Sequence, residues 1–396
     1  MEKLMFPDAP ARFEKEDLDG LLVWASQNNI SDITFRSEEC VFAKHFGRRM
    51  RVTARRLTSP EVGGIVNTIY GDNGTAQLSA GRDVDTAYSV QENRDTTHRF
   101  RFNATAVQVN GVNGYCIVLR SIPSMPPSLE AIDFPMQLLG PMSMNQGMVL
   151  ITGETGSGKS TLQAALLRYR LEQDDANLHV LTYEQPIEFV YDDVVKPSSM
   201  VNQSEVPRHI PSFEAGIRNA MRRDPDIILI GESRDRMTME ASIEASRSGH
   251  LLMTTMHSNG VPSTIRRAVG MFPEGERNVR AMDIIESTQV ILTQRLLRTV
   301  DGKRKAVREF LVFDDQIRNT LLSTPVDNLS YITRKLTKQY GQTMADDAKN
   351  LYRDNLISKS ELELVVARET HKDEDSKVAI EGASHIVPLG DRLEQN

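Results

Sequence analysis

The chain is short of cysteine and of long apolar runs, and each shortage argues against a class of protein. Cys40 and Cys116 are the only 2 cysteines in 396 residues. Their spacing matches neither a disulfide framework nor a zinc site, so a reducing, cytosolic compartment is expected. No window offers eighteen consecutive apolar residues, which argues against a membrane span. The opening MEKLMFPDAPARFEKED lacks the apolar core of a signal peptide and carries acids early, so none is expected. A basic excess is also missing: the net charge is -7, which argues against a generic nucleic-acid binder yet leaves room for a local basic groove. Internal repeats and low-complexity tracts are absent as well. What remains is ordinary globular texture, 39% hydrophobic and 26% charged, at a length that suggests two domains or three.

The texture changes once along the chain. Glu14 to Asn29 carries Leu18, Leu21, Leu22 and Ala25 at helical spacing. SDITFR then alternates like a strand, strand-like pieces flank a turn at Phe46-Gly47-Arg48, and Ser59-Pro60-Glu61 reads as a helix start capped by the serine. Alternating runs return in DVDTAYSV, HRFRFNATAVQV and YCIVLRSI. Together these predict an α+β domain over residues 1–121. The proline-rich IPSMPPSLE follows, a stiff extended joint over residues 122–130. Beyond it MVLIT, HVLTY, DIILI and LLMTTM are short apolar runs separated by helical segments, the pattern of a parallel sheet buried on both faces. Arg277 to Arg298 reads as one long helix, AVREFLVFD as a strand, and the remainder to Arg368 as small helices. The charged tail from Glu369 is expected to be disordered.

MVLITGETGSGKST is the strongest signal. Gly153, Gly158, Lys159 and Ser160 fill the phosphate-loop pattern directly after an apolar strand and directly before a helix, the context that motif requires. Glycines let the backbone wrap phosphate oxygens, so the loop Gly153, Thr155, Gly156, Ser157, Gly158 and the helix start Lys159, Ser160, Thr161 are expected to hold ATP. Lys159 meets the β- and γ-phosphates and Ser160 ligates Mg²⁺. DPDIILIGESRD ends a second strand at Gly231-Glu232, beside the phosphate crevice. Glu232 there binds the Mg²⁺ shell or polarises a water; the alternative is a solvated acid past a strand end. LTYEQPIEFVY places Glu184 at another strand end and Glu188 in a short extended piece after Pro186. In GHLLMTTMHSNG two histidines bracket a strand, His250 at its start and His257 at its end. They stand roughly 20 Å apart at strand rise and cannot share a metal ion. His257 falls on the ligand side of such sheets, where it donates to the γ-phosphate, senses its loss, or caps the strand; His250 is expected to be structural or to face another subunit.

Four boxes in fixed order, GETGSGKS, YEQPIEF, IRNAMRRDPDIILIGESRD and GHLLMTTMHSN, resemble the secretion and pilus-motor ATPase family. PDAPARF, ASQNNISDITF, QSEVPRHIPSF and REFLVFDDQIR look like its type IVB branch, the Dot/Icm (DotB-type) secretion ATPases and their TraJ counterparts in IncI-like conjugative plasmids. The resemblance covers about residues 5–368. It implies an α/β fold: a RecA-like P-loop NTPase core with a parallel-rich sheet over residues 131–368, preceded by an α+β PAS-like N-terminal domain. It also implies a homo-hexameric ring that hydrolyses ATP for an inner-membrane secretion or conjugation machinery, at the cytoplasmic face, with no sequence-specific nucleic-acid contact of its own. By the same resemblance Glu188 is the catalytic base with Glu184 beside it, Glu232 is the Walker B glutamate, and His250 and His257 form the histidine box. Arg99, Arg101 and Arg120 are the N-terminal arginines that would reach the nucleotide; the alternative for Arg99 and Arg101 is an exposed strand face of alternating charge. Two departures stand out: Gln185 replaces the usual acid of the acidic box, and no further arginine follows RFRFN between Ala104 and Val109. A RecA- or helicase-like enzyme acting directly on DNA is the competing reading, disfavoured by the acidic charge and the lack of an aromatic-basic groove. A nucleotide-gated binding protein is disfavoured by the intact Lys159, Glu188 and Glu232.

Overall fold

The computed structural model describes residues 4–369 except residues 8, 47, 95, 123 and 124. Gly47 of the expected turn, residues 123 and 124 of the expected joint, and residues 370–396 of the expected tail lie outside the described residues. Glu369, where that tail was to begin, is helical, the last residue of a helical run over 359–369. The chain divides into two units.

The first unit holds Met1–Pro126 together with Glu184–Val194 and Gln203–His209. Its elements are α1 (Lys15–Gln27), β1 (Ile30–Arg36), β2 (Phe42–His45), β3 (Arg48–Arg51), α2 (Ser59–Tyr70), α3 (Gly74–Ser79), β4 (Val84–Asn93), β5 (Thr96–Val109) and β6 (Val112–Ile122). The strands form one sheet in the order β3-β2-β1-β6-β5-β4, antiparallel throughout. Leu18, Leu21, Leu22 and Ala25 are buried on α1, the face their spacing predicts. They share a core with Ile65 and Val66 of α2 and with Phe100, Phe102, Ile117 and Leu119 of the sheet. The cap of α2 sits one residue earlier than Ser59. Thr58 Oγ1 accepts from the Glu61 N–H at 3.4 Å while Glu61 Oε2 accepts from the Thr58 N–H at 3.3 Å. The Thr-x-x-Glu spacing satisfies two orphan helix donors at once, which a cap at Ser59 would not do.

The second unit holds Pro127–Tyr183, Val195–Asn202 and Ile210–Asn396. It runs β7 (Gly147–Thr152), α4 (Lys159–Leu171), β8 (His179–Glu184), β9 (Met200–Glu205), α5 (Phe213–Ala220), β10 (Ile227–Ile230), α6 (Arg236–Arg247) and β11 (Leu251–Met256), the last residue of β8 and Gln203–Glu205 of β9 counting with the first unit. Then follow α7 (Val261–Gly270), α8 (Arg277–Ser287), β12 (Thr288–Arg298), β13 (Arg304–Val312), α9 (Asp315–Leu322), α10 (Leu329–Tyr340) and α11 (Met344–Arg353). The sheet order is β13-β12-β7-β11-β10-β8-β9. From β8 to β12 all pairings are parallel, and β13 closes the edge antiparallel to β12. Every residue of β7, β10 and β11 is buried, as a parallel sheet covered on both faces requires. The helix expected over Arg277 to Arg298 stops at Ser287, and Thr288–Arg298 is strand. The Val290, Ile291 and Thr293 run packs better on a pleated surface than on a helix, and its register on β7 places it next to the phosphate loop.

Glu61 is the polar anchor of the first unit. It is 4% exposed and accepts from the Phe13 N–H at 2.8 Å and from Arg55 Nη1 at 3.0 Å. Burial pushes its carboxyl up, but Arg55 and the N–H groups of Phe13 and Thr58 pull it further down, so it sits below the ordinary glutamate value. Glu61→Ala is expected to destabilise this unit by about 2–3 kcal/mol in denaturant unfolding. Because the folded carboxyl is depressed, that contribution is present above the ordinary glutamate range and disappears as pH falls through the folded value. A Glu61→Ala loss that is equal at pH 7 and pH 3 contradicts the assignment.

Candidate active site

The phosphate loop is shaped from both sides. β7 ends at Thr152 and α4 begins at Lys159; between them Gly153, Gly156 and Gly158 take φ of 147°, 77° and 84°, values that side chains on Cβ rarely tolerate. Space imposes the same demand. A Cβ on Gly153 would run into the backbone carbonyl of Gln294, and one on Gly158 would lie 2.9 Å from Gln294 Nε2. Lys159 is 7% exposed and its ammonium donates to the carbonyls of Gly153 at 3.1 Å and Glu154 at 3.0 Å. The buried Ser157 hydroxyl has no hydrogen-bond partner among the described residues. A backbone cradle closed to Cβ atoms, a buried ammonium and an unsatisfied hydroxyl together fit a phosphate chain.

A relay from β12 and β13 fixes this loop. Gln294 Nε2 donates to the Ser157 carbonyl at 2.7 Å, and Arg308 Nε donates to Gln294 Oε1 at 2.9 Å. The other two guanidinium nitrogens of Arg308 donate to the carbonyls of Asp133 and Ile132 at 2.7 and 2.8 Å. Its backbone N–H donates to Asp347 Oδ2 at 2.7 Å. Burial lowers the proton affinity of Arg308 while Asp347 and Asp133 support its charge, and arginine keeps its proton. On the helix side Gln163 of α4 donates to the carbonyls of Ile230 and Met253 at 3.2 and 3.1 Å, pinning α4 to the sheet.

The strand ends beside the loop carry the next residues. β10 and β11 are neighbours with Ile230 opposite Thr254, and β11 and β7 with Met256 opposite Thr152. Glu232 follows β10 and is fixed by its neighbours: the Gly231 N–H donates to the Tyr183 carbonyl and the Ser233 N–H to the Thr255 carbonyl, both at 2.8 Å. The Thr255 hydroxyl closes the loop by donating to the Gly231 carbonyl at 2.6 Å. His257 follows β11, and its Nε2 stands 3.5 Å from Glu232 Oε1. A buried hydroxyl chain continues inward. Ser258 and Thr264 lie 2.6 Å apart, Thr264 donates to Thr152 at 3.3 Å, and Thr152 meets Thr293 at 2.7 Å. His250 stands at the far end of β11, its Nδ1 3.2 Å from the Ala245 carbonyl at the C-terminus of α6.

The remaining expected residues lie in the first unit. Glu188 is half-buried, with Oε1 4.0 Å from Arg101 Nη1. Glu184 accepts from Gln203 Nε2 at 3.2 Å. Arg101 grips Asp85 with two bonds, 3.0 and 2.6 Å, and Arg99 donates to the carbonyls of Glu188 and Ile187. Arg120 stands apart, paired with Asp32 at 2.8 Å. Sequence reasoning missed Gln294, Arg308 and the hydroxyl chain; a sequence signal was the polar pair Thr293-Gln294 directly after the apolar Val290-Ile291-Leu292.

Residues 92–381 match the family model described as "Type II/IV secretion system protein". The chain belongs to the type II/IV secretion system protein family. Its matched span takes in every candidate residue named above, from Arg99 to His257. The X-ray structure of the Legionella pneumophila ATPase DotB is similar with a TM-score of 0.87 and 44% identity, over 92% of this chain and 98% of that one. A structure of the pilus retraction motor PilT with bound ADP gives a TM-score of 0.75 and 28% identity over 87% and 95% of the two chains. A twitching motility protein of Neisseria gonorrhoeae is 34% identical over 313 residues, 79% of this chain and 80% of that protein.

Arg308 serves three separate acceptors that one ammonium cannot reach together. Arg308→Lys is therefore expected to cost about 2–4 kcal/mol, read as a lowered denaturant midpoint. Bound nucleotide should recover part of that loss, since a ligand that favours the formed loop stabilises it by mass action. Unchanged stability would show that the relay carries no weight.

Proposed function

We propose that this chain is an ATP hydrolase of the secretion-motor kind, working as a homo-hexameric ring that powers a type IVB secretion or conjugative DNA-transfer apparatus from the cytoplasmic face of the inner membrane. Among the described residues no helix is long and apolar enough to cross a membrane, which is compatible with peripheral attachment. In this reading residues 1–121 form a PAS-like N-terminal domain, joined through 122–130 to a RecA-like ATPase domain over 131–368. The observation that carries the reading is the phosphate cradle: three glycines at positive φ against β12, with Lys159 and the Ser157 hydroxyl buried inside it.

Gly153, Thr155, Gly156, Ser157, Gly158, Lys159 and Thr161 hold the triphosphate through backbone N–H groups and the ammonium. Ser160 and Glu232 would hold Mg²⁺. Both offer the hard oxygen donors that such an ion takes. When bound, the ion would supply positive charge that neutralises phosphate oxygens. Glu188 takes a proton from the attacking water, with Glu184 beside it in the acidic segment. His257, 3.5 Å from Glu232, donates to the γ-phosphate and registers its loss. Arg101, whose Nη1 lies 4.0 Å from the Glu188 carboxylate, neutralises developing charge. ADP is bound in the similar PilT structure, and the similar DotB structure is of an ATPase; both support turnover of ATP.

Lys159→Ala is expected to lose both ATP binding and hydrolysis. Glu188→Gln should bind ATP normally while turnover falls by about 10²–10⁴; rapid turnover by Glu188→Gln removes the base assignment. With ATP, gel filtration should give a species near six chains, and a strictly monomeric active enzyme sinks the ring. Strong stimulation of hydrolysis by single-stranded DNA would favour an enzyme acting directly on DNA.

A further inference from the structure

Arg99 is the most buried arginine of the first unit's sheet, 5% exposed. It shares a face of β5 with Arg101, while Phe100 and Phe102 point to the helices. Its guanidinium is committed to main chain: Nη1 donates to the Glu188 carbonyl at 2.9 Å and Nη2 to the Ile187 carbonyl at 2.8 Å. Burial lowers its proton affinity while Glu184, Glu205 and Asp192 support the charge. The same segment is held from its N–H side. Glu205 Oε2 accepts from the Ile187 N–H at 3.4 Å, and Glu205 Oε1 accepts from the Thr86 hydroxyl of β4 at 2.6 Å. The peptide units on both sides of Ile187 are thus tied to β4 and β5. The Glu188 carboxylate, whose own backbone is gripped, faces Arg101 at 4.0 Å.

We infer that Arg99 is a positioning residue for Glu188: it fastens the acidic segment's backbone to the N-terminal sheet and does not itself bind nucleotide. This rests on Glu188 being the base. Glu184–Val194 clusters with the N-terminal residues, and the clamp is what ties Glu188 to β5. The clamp therefore acts on turnover and leaves affinity alone. A charge-assisted bond to a carbonyl is stronger than a neutral one, and misplacing a catalytic group by about 1 Å can cost about 10²-fold.

The test uses the full-length chain, with steady-state ATP hydrolysis and equilibrium binding of a fluorescent ATP analogue. Arg99→Gln is expected to lower kcat by about 10–100-fold, with KM and analogue affinity within about threefold. Arg99→Lys, which keeps a charged donor for one carbonyl, should recover part of kcat. In a Glu188→Gln background Arg99→Gln should cause no further loss, because the group it positions is gone. A tenfold or greater loss of analogue affinity in Arg99→Gln overturns the inference and makes Arg99 a nucleotide contact. A full Glu188→Gln effect with an additive Arg99→Gln loss overturns the positioning link alone. Wild-type turnover by Glu188→Gln overturns the base assignment, and the role of Arg99 with it. If Arg99→Gln does not fold, Arg99→Lys decides: lower kcat at unchanged affinity supports the clamp, and wild-type kcat overturns it.

Discussion

The close approach of β12 to the phosphate loop is the constraint on which the second unit depends. Gly153 leaves no room for a Cβ against the Gln294 carbonyl, so loop and strand can only be built together. The strand that follows α8 must lie directly beside β7, and its register brings Gln294 under Ser157. Once that contact exists, Arg308 on β13 completes it by satisfying Gln294 and two carbonyls of the segment entering the domain. A phosphate site made this way is formed before its ligand arrives, and little reorganisation is left for binding.

Polar groups buried this deeply cost free energy unless each is satisfied. The hydroxyl chain from Ser258 through Thr264 and Thr152 to Thr293 meets that condition, with every member bonded to another. It also explains why the strand ends stay in step. β7, β12 and the loop after His257 are joined by hydrogen bonds, whose geometric demands apolar contacts would not supply. His257 follows directly on β11, while Glu232, two residues past β10, is fixed separately through Gly231 on Tyr183 and Ser233 on Thr255. His250 takes no part in it: it meets the end of α6, and the two histidines of one strand do separate work.

Much of this was legible beforehand for a physical reason. Strands buried on both faces must be apolar throughout, so β7, β8, β10 and β11 stood out as short runs, and the glycines of the loop announced their backbone angles. α1 was readable because its buried face repeats at helical spacing. The errors came where local pattern and tertiary contact compete. Thr288–Arg298 follows a good helix without a breaker, and only its β-branched content and its place beside β7 make it a strand. The Gln294–Ser157 bond spans 137 positions, and Arg99 meets Glu188 across 89; no spacing rule sees partners so far apart. An arginine on an alternating strand looks alike whether it faces water, nucleotide or the carbonyls of a distant loop.

Connectivity bears on that distant contact. The chain passes between the two units after Pro126, Tyr183, Val194, Asn202 and His209. Here Glu184–Val194, with Glu188, belongs to the N-terminal unit, while β8 up to Tyr183 is hydrogen-bonded into the sheet that carries the phosphate loop. Tyr183 is the last residue before that segment, and its carbonyl accepts from the N–H of Gly231, the residue before Glu232. The chain therefore enters the acidic segment from a strand end that the parallel sheet holds by hydrogen bonds, and not from a free loop.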